Sequence, residues 1–257
     1  MSSEQLSKAK LQYFTKLIRK KHRQSRNELL IEGVRLCNDL LDHNIEFKSI
    51  IFSDRLKKHP YGHNIINKAA SQNIKTFITN QQNIRKLTLT HTPQSIVACI
   101  KKPEEKMTKD FSQDNRFLVL MDINDPGNVG TLIRSAKAFG WNKIISIGNM
   151  AEMYSPKVIR ASMGAIFHVK IVSMTLKSSI SYFKNNNISW MLTMPENGEK
   201  PPYDALPDKI ALFLGSEAHG LPKNLVPKAD KILNLPMSKE VESLNVAVSG
   251  GIFLFLL

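Results

Sequence analysis

The spacing of apolar runs after residue 116 constrains this chain more than any other feature. FLVLM occupies 117–121, IISI 144–147 and AIFHVKIV 165–172; ISWMLT follows around 189–193, then IALFL at 210–214 and KILNL at 231–235. Segments with helical periodicity fall between them, at 128–139, 156–163 and 176–184, and a final helix is expected to begin near Ser243. Strands that are apolar along nearly their whole length and separated by helices imply a mainly parallel sheet covered on both faces. The fold class is therefore α/β.

The first hundred residues read differently. Apolar runs at 29–31, 49–52, 76–78 and 95–100 look like short strands, and 32–42 and 63–71 like helices, which gives a small α/β unit. From Lys8 to Arg26 the chain carries eight basic residues and no acidic one, with Leu11, Phe14, Leu17 and Ile18 at helical spacing. That pattern predicts an amphipathic helix with a cationic face. The charged, proline-containing stretch KKPEEKMTKDFSQDN at 101–115 separates the halves. The expected division is a basic domain at 1–107, a linker at 108–115 and a larger domain at 116–257.

Charge follows the same division. Residues 1–107 hold 20 basic and 9 acidic side chains, and residues 108–257 hold 16 and 13. A basic leading half points to a polyanionic partner, because neutralising phosphates releases counterions. An apolar share of 42% is that of a folded globular protein, so disorder is not expected. Cys37 and Cys99 sit in apolar runs and read as small buried hydrophobes of a reducing compartment rather than as a disulfide, metal site or nucleophile. The histidines are scattered, and no cluster has zinc spacing, so no metal is implied. No apolar run is long enough to span a membrane. The final GGIFLFLL reads as part of a helix that is apolar all round and therefore buried. The basic, acid-poor first 26 residues have the composition of a mitochondrial presequence, but an RNA-facing helix explains them equally, so the cytoplasm is the expected compartment.

No two of the 12 glycines are two residues apart, which rules out G-x-G-x-x-G. There is no Walker sequence either, so a dinucleotide-binding domain, a P-loop NTPase and a glycine-rich methyltransferase are all disfavoured. Three other segments carry unusual polar residues. In DPGNVGTLIRSAKAFG at 125–140, Asp125 and Pro126 open a turn and Asn128 can cap a helix. Val129, Leu132, Ile133 and Ala136 then form its buried stripe, Arg134 lies roughly opposite, and Gly140 ends it. On its own Arg134 reads as a solvated arginine. LGSEAHGLP at 214–222 turns through Gly215, Glu217 and Gly220 at the end of a strand, where open α/β sheets bind ligands; a structural turn is the plain alternative. LPMSKEVESLNVAVSGG at 235–251 places Ser243 and Asn245 ahead of an apolar run, a pattern that helix capping also explains.

In this order the three segments resemble the motifs of the SpoU/TrmH family, RNA ribose methyltransferases of the knotted SPOUT fold. Asn128, Gly130 and Arg134 fall on the family's N-x-G-x-x-x-R pattern. The resemblance implies a catalytic SPOUT domain with a trefoil knot from about residue 116, preceded by a substrate-binding domain similar to certain ribosomal proteins. It also implies S-adenosyl-L-methionine as cofactor. Leu235, Met237 and Leu244 would wrap its adenine and ribose, and Gly215 would close the pocket. Arg134 would stand at the catalytic centre, supported by Glu217, while Asn128, Ser243 and Asn245 face the ribose or brace the pocket. No role follows for His219. A guanidinium stays charged below a pKa of about 12, so Arg134 is expected to grip a phosphate and stabilise the developing alkoxide, with phosphate or water taking the proton. A homodimer with the C-terminal helix in its interface is implied as well. The family usually continues beyond this helix, so an end at Leu257 is expected to weaken that contact and leave the motif intact. The expected substrate is structured RNA, ribosomal in preference to transfer RNA. The alternatives are a tRNA methyltransferase, a base methyltransferase, and a non-catalytic RNA-binding or ribosome-assembly protein that keeps the fold.

Overall fold

A computed structural model of the protein describes residues 3–105, 115–196, 198–201, 206–216, 219–238, 240–241 and 243–257. Backbone contacts divide the chain into two compact units, Met1–Pro103 and Glu104–Leu257. Apart from Asn115, the expected linker at 108–115 lies outside the described residues.

The first unit begins with β1 (Glu4–Gln5), α1 (Lys8–Lys16), α2 (Lys20–Arg26), β2 (Glu28–Glu32) and α3 (Val34–Leu40). It continues with β3 (Phe47–Ser53), α4 (Gly62–Ser71), β4 (Lys75–Thr79), α5 (Gln81–Lys86) and β5 (Ile96–Lys101). Its five strands form a mixed sheet in the order β1-β4-β3-β5-β2, with β5 antiparallel to both of its neighbours. All four expected strands are present. Phe14 and Leu17 are buried with Ile51, Phe77, Ile84 and Cys99 in one apolar cluster, and both cysteines are buried free thiols.

The single helix expected over 8–26 is instead two. The buried Arg23 turns its guanidinium back on the chain and donates to the carbonyls of Leu17 and Ile18. These are acceptors that a continuing helix would have used for itself. The helix expected from residue 32 starts at Val34, because Glu32 completes β2 and Gly33, at φ 123°, makes the turn. The short α5 was not read from sequence; Asn80 caps it by accepting from the Asn83 N–H at 2.9 Å.

The second unit runs β6 (Arg116–Met121), α6 (Pro126–Ala138), β7 (Lys143–Ile147), α7 (Pro156–Ala161), β8 (Lys170–Met174) and α8 (Leu176–Asn185). It ends with β9 (Ser189–Thr193), β10 (Ile210–Leu214), β11 (Lys231–Leu233) and α9 (Val246–Leu256). The six strands lie in the order β11-β9-β10-β6-β7-β8, and every pairing is parallel. Alternate residues serve opposite faces. Phe117, Val119, Trp190 and Phe213 pack with Phe183 of α8 on one face, where the Phe183 ring stands edge-on to Trp190 at 5.8 Å. On the other face Leu214 meets Gly250 of α9, which also touches Leu132 of α6. Both faces are covered, as the continuous apolar strands imply.

Two boundaries are corrected here. Residues 165–168 form a 3-10 turn and not the start of a strand, because Met163 and Gly164 both take left-handed backbone and reverse the chain before β8. The last helix starts at Val246 with Asn245 as its N-cap, three residues beyond the expected Ser243. That helix is not buried all round either. Val246, Ala247, Gly250, Phe253 and Leu254 face the core, while Val248, Ile252, Phe255 and Leu256 are exposed, Phe255 at 70%.

Candidate active site

In chain order β6, β7 and β8 step outward to one sheet edge, and β9, β10 and β11 lie on the other side of β6. The boundary between β6 and β10 is therefore the point where strand order reverses. In open α/β sheets the loops leaving the carboxyl ends of two such strands part, and ligands bind between them. All three unusual sequence segments follow strands that end on this edge of the sheet: β6, β10 and β11.

The β6 loop is fixed by its carboxylates. Asp122 takes left-handed backbone (φ 55°), and its Oδ1 accepts the Asn149 N–H at 2.7 Å, tying this loop to the one after β7. Gly148 lies so close that an added Cβ would meet Asp122 Oδ1 at 2.2 Å. Asp125, and not Asn128, caps α6: its Oδ1 accepts the Asn128 N–H at 2.8 Å, with Pro126 in the first turn. Because its side chain is not used for capping, Asn128 is available for another contact. Gly130 serves packing, since a Cβ there would meet Ala161 Cβ at 2.5 Å and the Val158 carbonyl at 2.8 Å.

The β10 loop folds back on itself. The Gly220 N–H donates to the Ser216 carbonyl at 2.8 Å, the His219 N–H donates to Ser216 Oγ at 3.2 Å, and a Cβ on Gly215 would lie 2.4 Å from Gly220 backbone. Gly215 is thus required by the turn itself. Glu217 lies outside the described residues. His219 is exposed.

After β11 the chain passes through buried Leu235 and half-buried Met237 to exposed Ser243 and Leu244 before entering α9. Asn245 closes the arrangement. Its Oδ1 accepts from the N–H groups of Ala247 and Val248, and its Nδ2 donates to Asn128 Oδ1 at 3.0 Å. One side chain caps α9 and locks it to α6 across 117 residues of sequence. The two helices run side by side in the same direction: Leu132 meets Gly250, Ser135 lies by Gly251, and the Phe139 and Phe255 rings are 5.5 Å apart. Their N-terminal ends, each carrying partial positive charge, adjoin at the Asn128–Asn245 bond. A phosphate or a developing oxyanion suits such a place.

Arg134 is on the exposed face of α6, two turns beyond Asn128, and has no ion pair or hydrogen bond among the described residues. The structure therefore brings Asn128 and Asn245 together and positions Gly215, Leu235 and Met237 on neighbouring loops. It leaves Arg134, Ser243 and Leu244 open to solvent.

The backbone N–H groups of Leu235, Met237 and Leu244 have no hydrogen-bond partner among the described residues. Sequence reading missed two residues that shape the chain around β11. A Cβ on Gly198 would lie 2.8 Å from the Leu233 carbonyl carbon, and the buried Asn234 donates from Nδ2 to the Pro195 carbonyl. The Asn197–Gly198 pair is a turn signal that points to this place. Asp122, a lone carboxylate ending an apolar run, was legible in the same way.

An open, fully parallel sheet whose strand order reverses between β6 and β10 is the architecture of an α/β protein that takes ligands at its strand ends. Comparison with known proteins gives the family. Residues 115–255 match the SpoU rRNA Methylase family, and residues 8–98 match an MRM3-like substrate binding domain. The 23S rRNA (guanosine(2553)-2'-O)-methyltransferase RlmP of Bacillus subtilis is 30% identical over 254 residues, spanning 98% of this chain and 97% of that one. The mitochondrial rRNA methyltransferase 3 of Xenopus laevis is 28% identical, over 92% of this chain and 70% of that one. The crystal structure of an AdoMet-bound rRNA methyltransferase from Sinorhizobium meliloti shares the fold, with a TM-score of 0.86 at 24% identity over 98% of this chain and 95% of that one. This chain belongs to the SpoU rRNA methylase family.

Proposed function

We propose that the protein transfers a methyl group from S-adenosylmethionine to a ribose 2'-hydroxyl of ribosomal RNA. The Asn245–Asn128 hydrogen bond carries the reading, because it assembles the first and third motifs beside the strand switch point. Bound S-adenosylmethionine supplies an electrophilic methyl on a sulfonium. The N–H groups of Leu235, Met237 and Leu244 would hold its adenine and ribose, and the Gly215 turn would form the opposite wall. Arg134, exposed and without a partner among the described residues, would grip the phosphate beside the reacting ribose and stabilise the alkoxide as it forms. Its guanidinium stays charged, so the hydroxyl proton passes to phosphate or water. Asn128 and Asn245 position the ribose, Ser243 faces it from the entry to α9, and Glu217 braces the arginine. In this scheme the basic domain at 1–107 presents RNA to the catalytic domain at 116–257.

The working form is a homodimer. Val248, Ile252, Phe255 and Leu256 of α9 make an exposed apolar stripe, with the exposed Phe139 of α6 against Phe255. A second copy would cover such a face in a two-fold contact. The path from β11 at the sheet edge to α9, packed on Leu132 and Leu214, fits the trefoil knot that the motifs imply. Among the described residues no helix is long and apolar enough to cross a membrane. The cytoplasm is the proposed compartment.

Labelled S-adenosylmethionine incubated with unmodified ribosomal and transfer RNA, followed by alkaline hydrolysis, tests the reading. Alkali-resistant label in ribosomal RNA alone is expected. Label in transfer RNA alone would reassign the substrate, and alkali-sensitive product would point to base methylation. No label despite RNA binding would make the protein a non-catalytic RNA-binding factor.

A further inference from the structure

The N-terminal unit carries a cleft of about 630 Å³ between α1 and α5, within the ~300–1,000 Å³ range of ligand pockets. Lys8, Lys16 and Arg19 line one side, Asn83 and Lys86 the other, and Leu11 adds apolar surface. Among the described residues no carboxylate lines it. Elsewhere the same unit pairs several of its surface lysines with carboxylates: Lys10 with Glu4 at 2.9 Å, Lys57 with Asp54 at 3.2 Å, Lys68 with Asp42 at 2.6 Å and Lys101 with Glu46 at 3.5 Å. The four cleft cations are exposed and have no ion pair among the described residues.

Helix electrostatics explain only part of this. Lys16 and Lys86 end α1 and α5, where a cation favours the helix dipole. Lys8 opens α1, whose first turn has no acidic residue, so its charge opposes the dipole there. Arg19 is held outside both helices at the corner that Arg23 creates by donating to the Leu17 and Ile18 carbonyls. The field at this corner is felt by His22, whose imidazole is kept below its usual pKa by desolvation first, then by Arg26, Lys16, Lys21 and Arg19. Among the described residues no aromatic side chain lines the cleft, so none of them offers a platform on which bases could stack.

We propose that this cleft grips the sugar–phosphate backbone of a single-stranded stretch of the RNA substrate, independently of its base sequence. The proposal rests on the reading of the protein as an RNA-modifying enzyme and adds where a strand is held. Phosphates meet Lys8, Lys16, Arg19 and Lys86, the Asn83 amide meets ribose or base edges, and Leu11 packs against a sugar.

Fluorescence anisotropy of the full chain with a labelled uridine 20-mer, titrated across salt concentrations, tests it. The Lys16→Ala/Arg19→Ala/Lys86→Ala variant is compared with Arg35→Ala/Arg55→Ala/Lys58→Ala, a charge-matched triple outside the cleft. The cleft triple is expected to weaken binding at least about tenfold and to lower the slope of log K against log salt by about 2, at ~0.7 per lost single-strand phosphate contact. Lys86→Glu alone, on a separate element, should lower it by about 0.7 or more. S-adenosylmethionine affinity, read calorimetrically, should be the same in all variants. An unchanged slope in the cleft triple, equal loss in both triples, or equal displacement of the 20-mer by polyglutamate overturns the proposal. The readout needs no methyl transfer, so an inactive protein that loses its slope only in the cleft triple sinks the enzyme reading and supports the cleft.

Discussion

In the C-terminal unit every strand pairing is parallel, so all six carboxyl ends lie at one end of the sheet. In the N-terminal unit β5 runs against both β3 and β2, and the loops are divided between two edges. The first arrangement brings the loops that carry all three motifs to one end of the sheet. The second divides its strand ends, and this half carries the larger excess of basic side chains. The bias of 20 basic to 9 acidic residues in 1–107 against 16 to 13 in 108–257 is the same distinction in composition.

This comparison can be broken first through the core. Trp141 is fully buried and donates from Nε1 to the Leu254 carbonyl, so Trp141→Ala is expected to cost the C-terminal unit about 3–5 kcal/mol. Both tryptophans lie in that unit, and Trp190 remains to report its urea unfolding. Equal loss of hydrogen-exchange protection in β2–β5 would show that the halves do not fold separately. Gly130→Ala is expected to cost about 1–3 kcal/mol by forcing α6 from α7, with a matching fall in S-adenosylmethionine affinity. Asn245→Ala removes the α9 cap for about 1 kcal/mol, and its loss of methyl transfer should exceed that, because the Asn128 contact goes too. Asn245→Asp keeps the cap and is expected to restore the stability measured by urea titration.

The smallest effect sharpens the comparison from the other half. Burial pushes the Cys37 thiol up to about 12, and Cys99 is raised by burial and then by Glu28. A raised pKa means that the folded state holds the proton more tightly. The stabilisation is therefore complete below the unfolded thiol value and is lost as pH rises toward the folded one. Above pH 9 the N-terminal unit should lose at most about 1.4 kcal/mol per pH unit for Cys37, and Cys37→Ala should flatten that slope in hydrogen exchange.

Much of this architecture was legible in the residues. Apolar runs such as FLVLM and IALFL can be satisfied only where both faces are covered, and the stripe Val129, Leu132, Ile133 and Ala136 is buried as its spacing predicts. What was not legible depends on distant partners. The break between α1 and α2 needs Arg23 buried against the carbonyls of Leu17 and Ile18, a contact that no local pattern signals. Ser243 and Asn245 are both capping residues, and the choice of Asn245 involves a contact with Asn128 that lies 117 positions away. Asn128 makes that contact with its side chain because Asp125, and not Asn128, caps α6. The all-apolar α9 reads the same whether its outer face meets a core or another molecule, so its exposed Phe255 could not be foreseen.

The central claim is that Arg134 does chemistry and not packing. Single-turnover methyl transfer to unmodified ribosomal RNA by wild type, Arg134→Ala and Arg134→Lys, with cofactor affinity and unfolding measured on the same preparations, tests it most directly. The account expects at least about a hundredfold loss of rate in Arg134→Ala, about 2.7 kcal/mol, and little recovery with lysine. Stability and S-adenosylmethionine binding should be unchanged, because the side chain is exposed and has no partner among the described residues. Near-wild-type turnover in Arg134→Ala would contradict it.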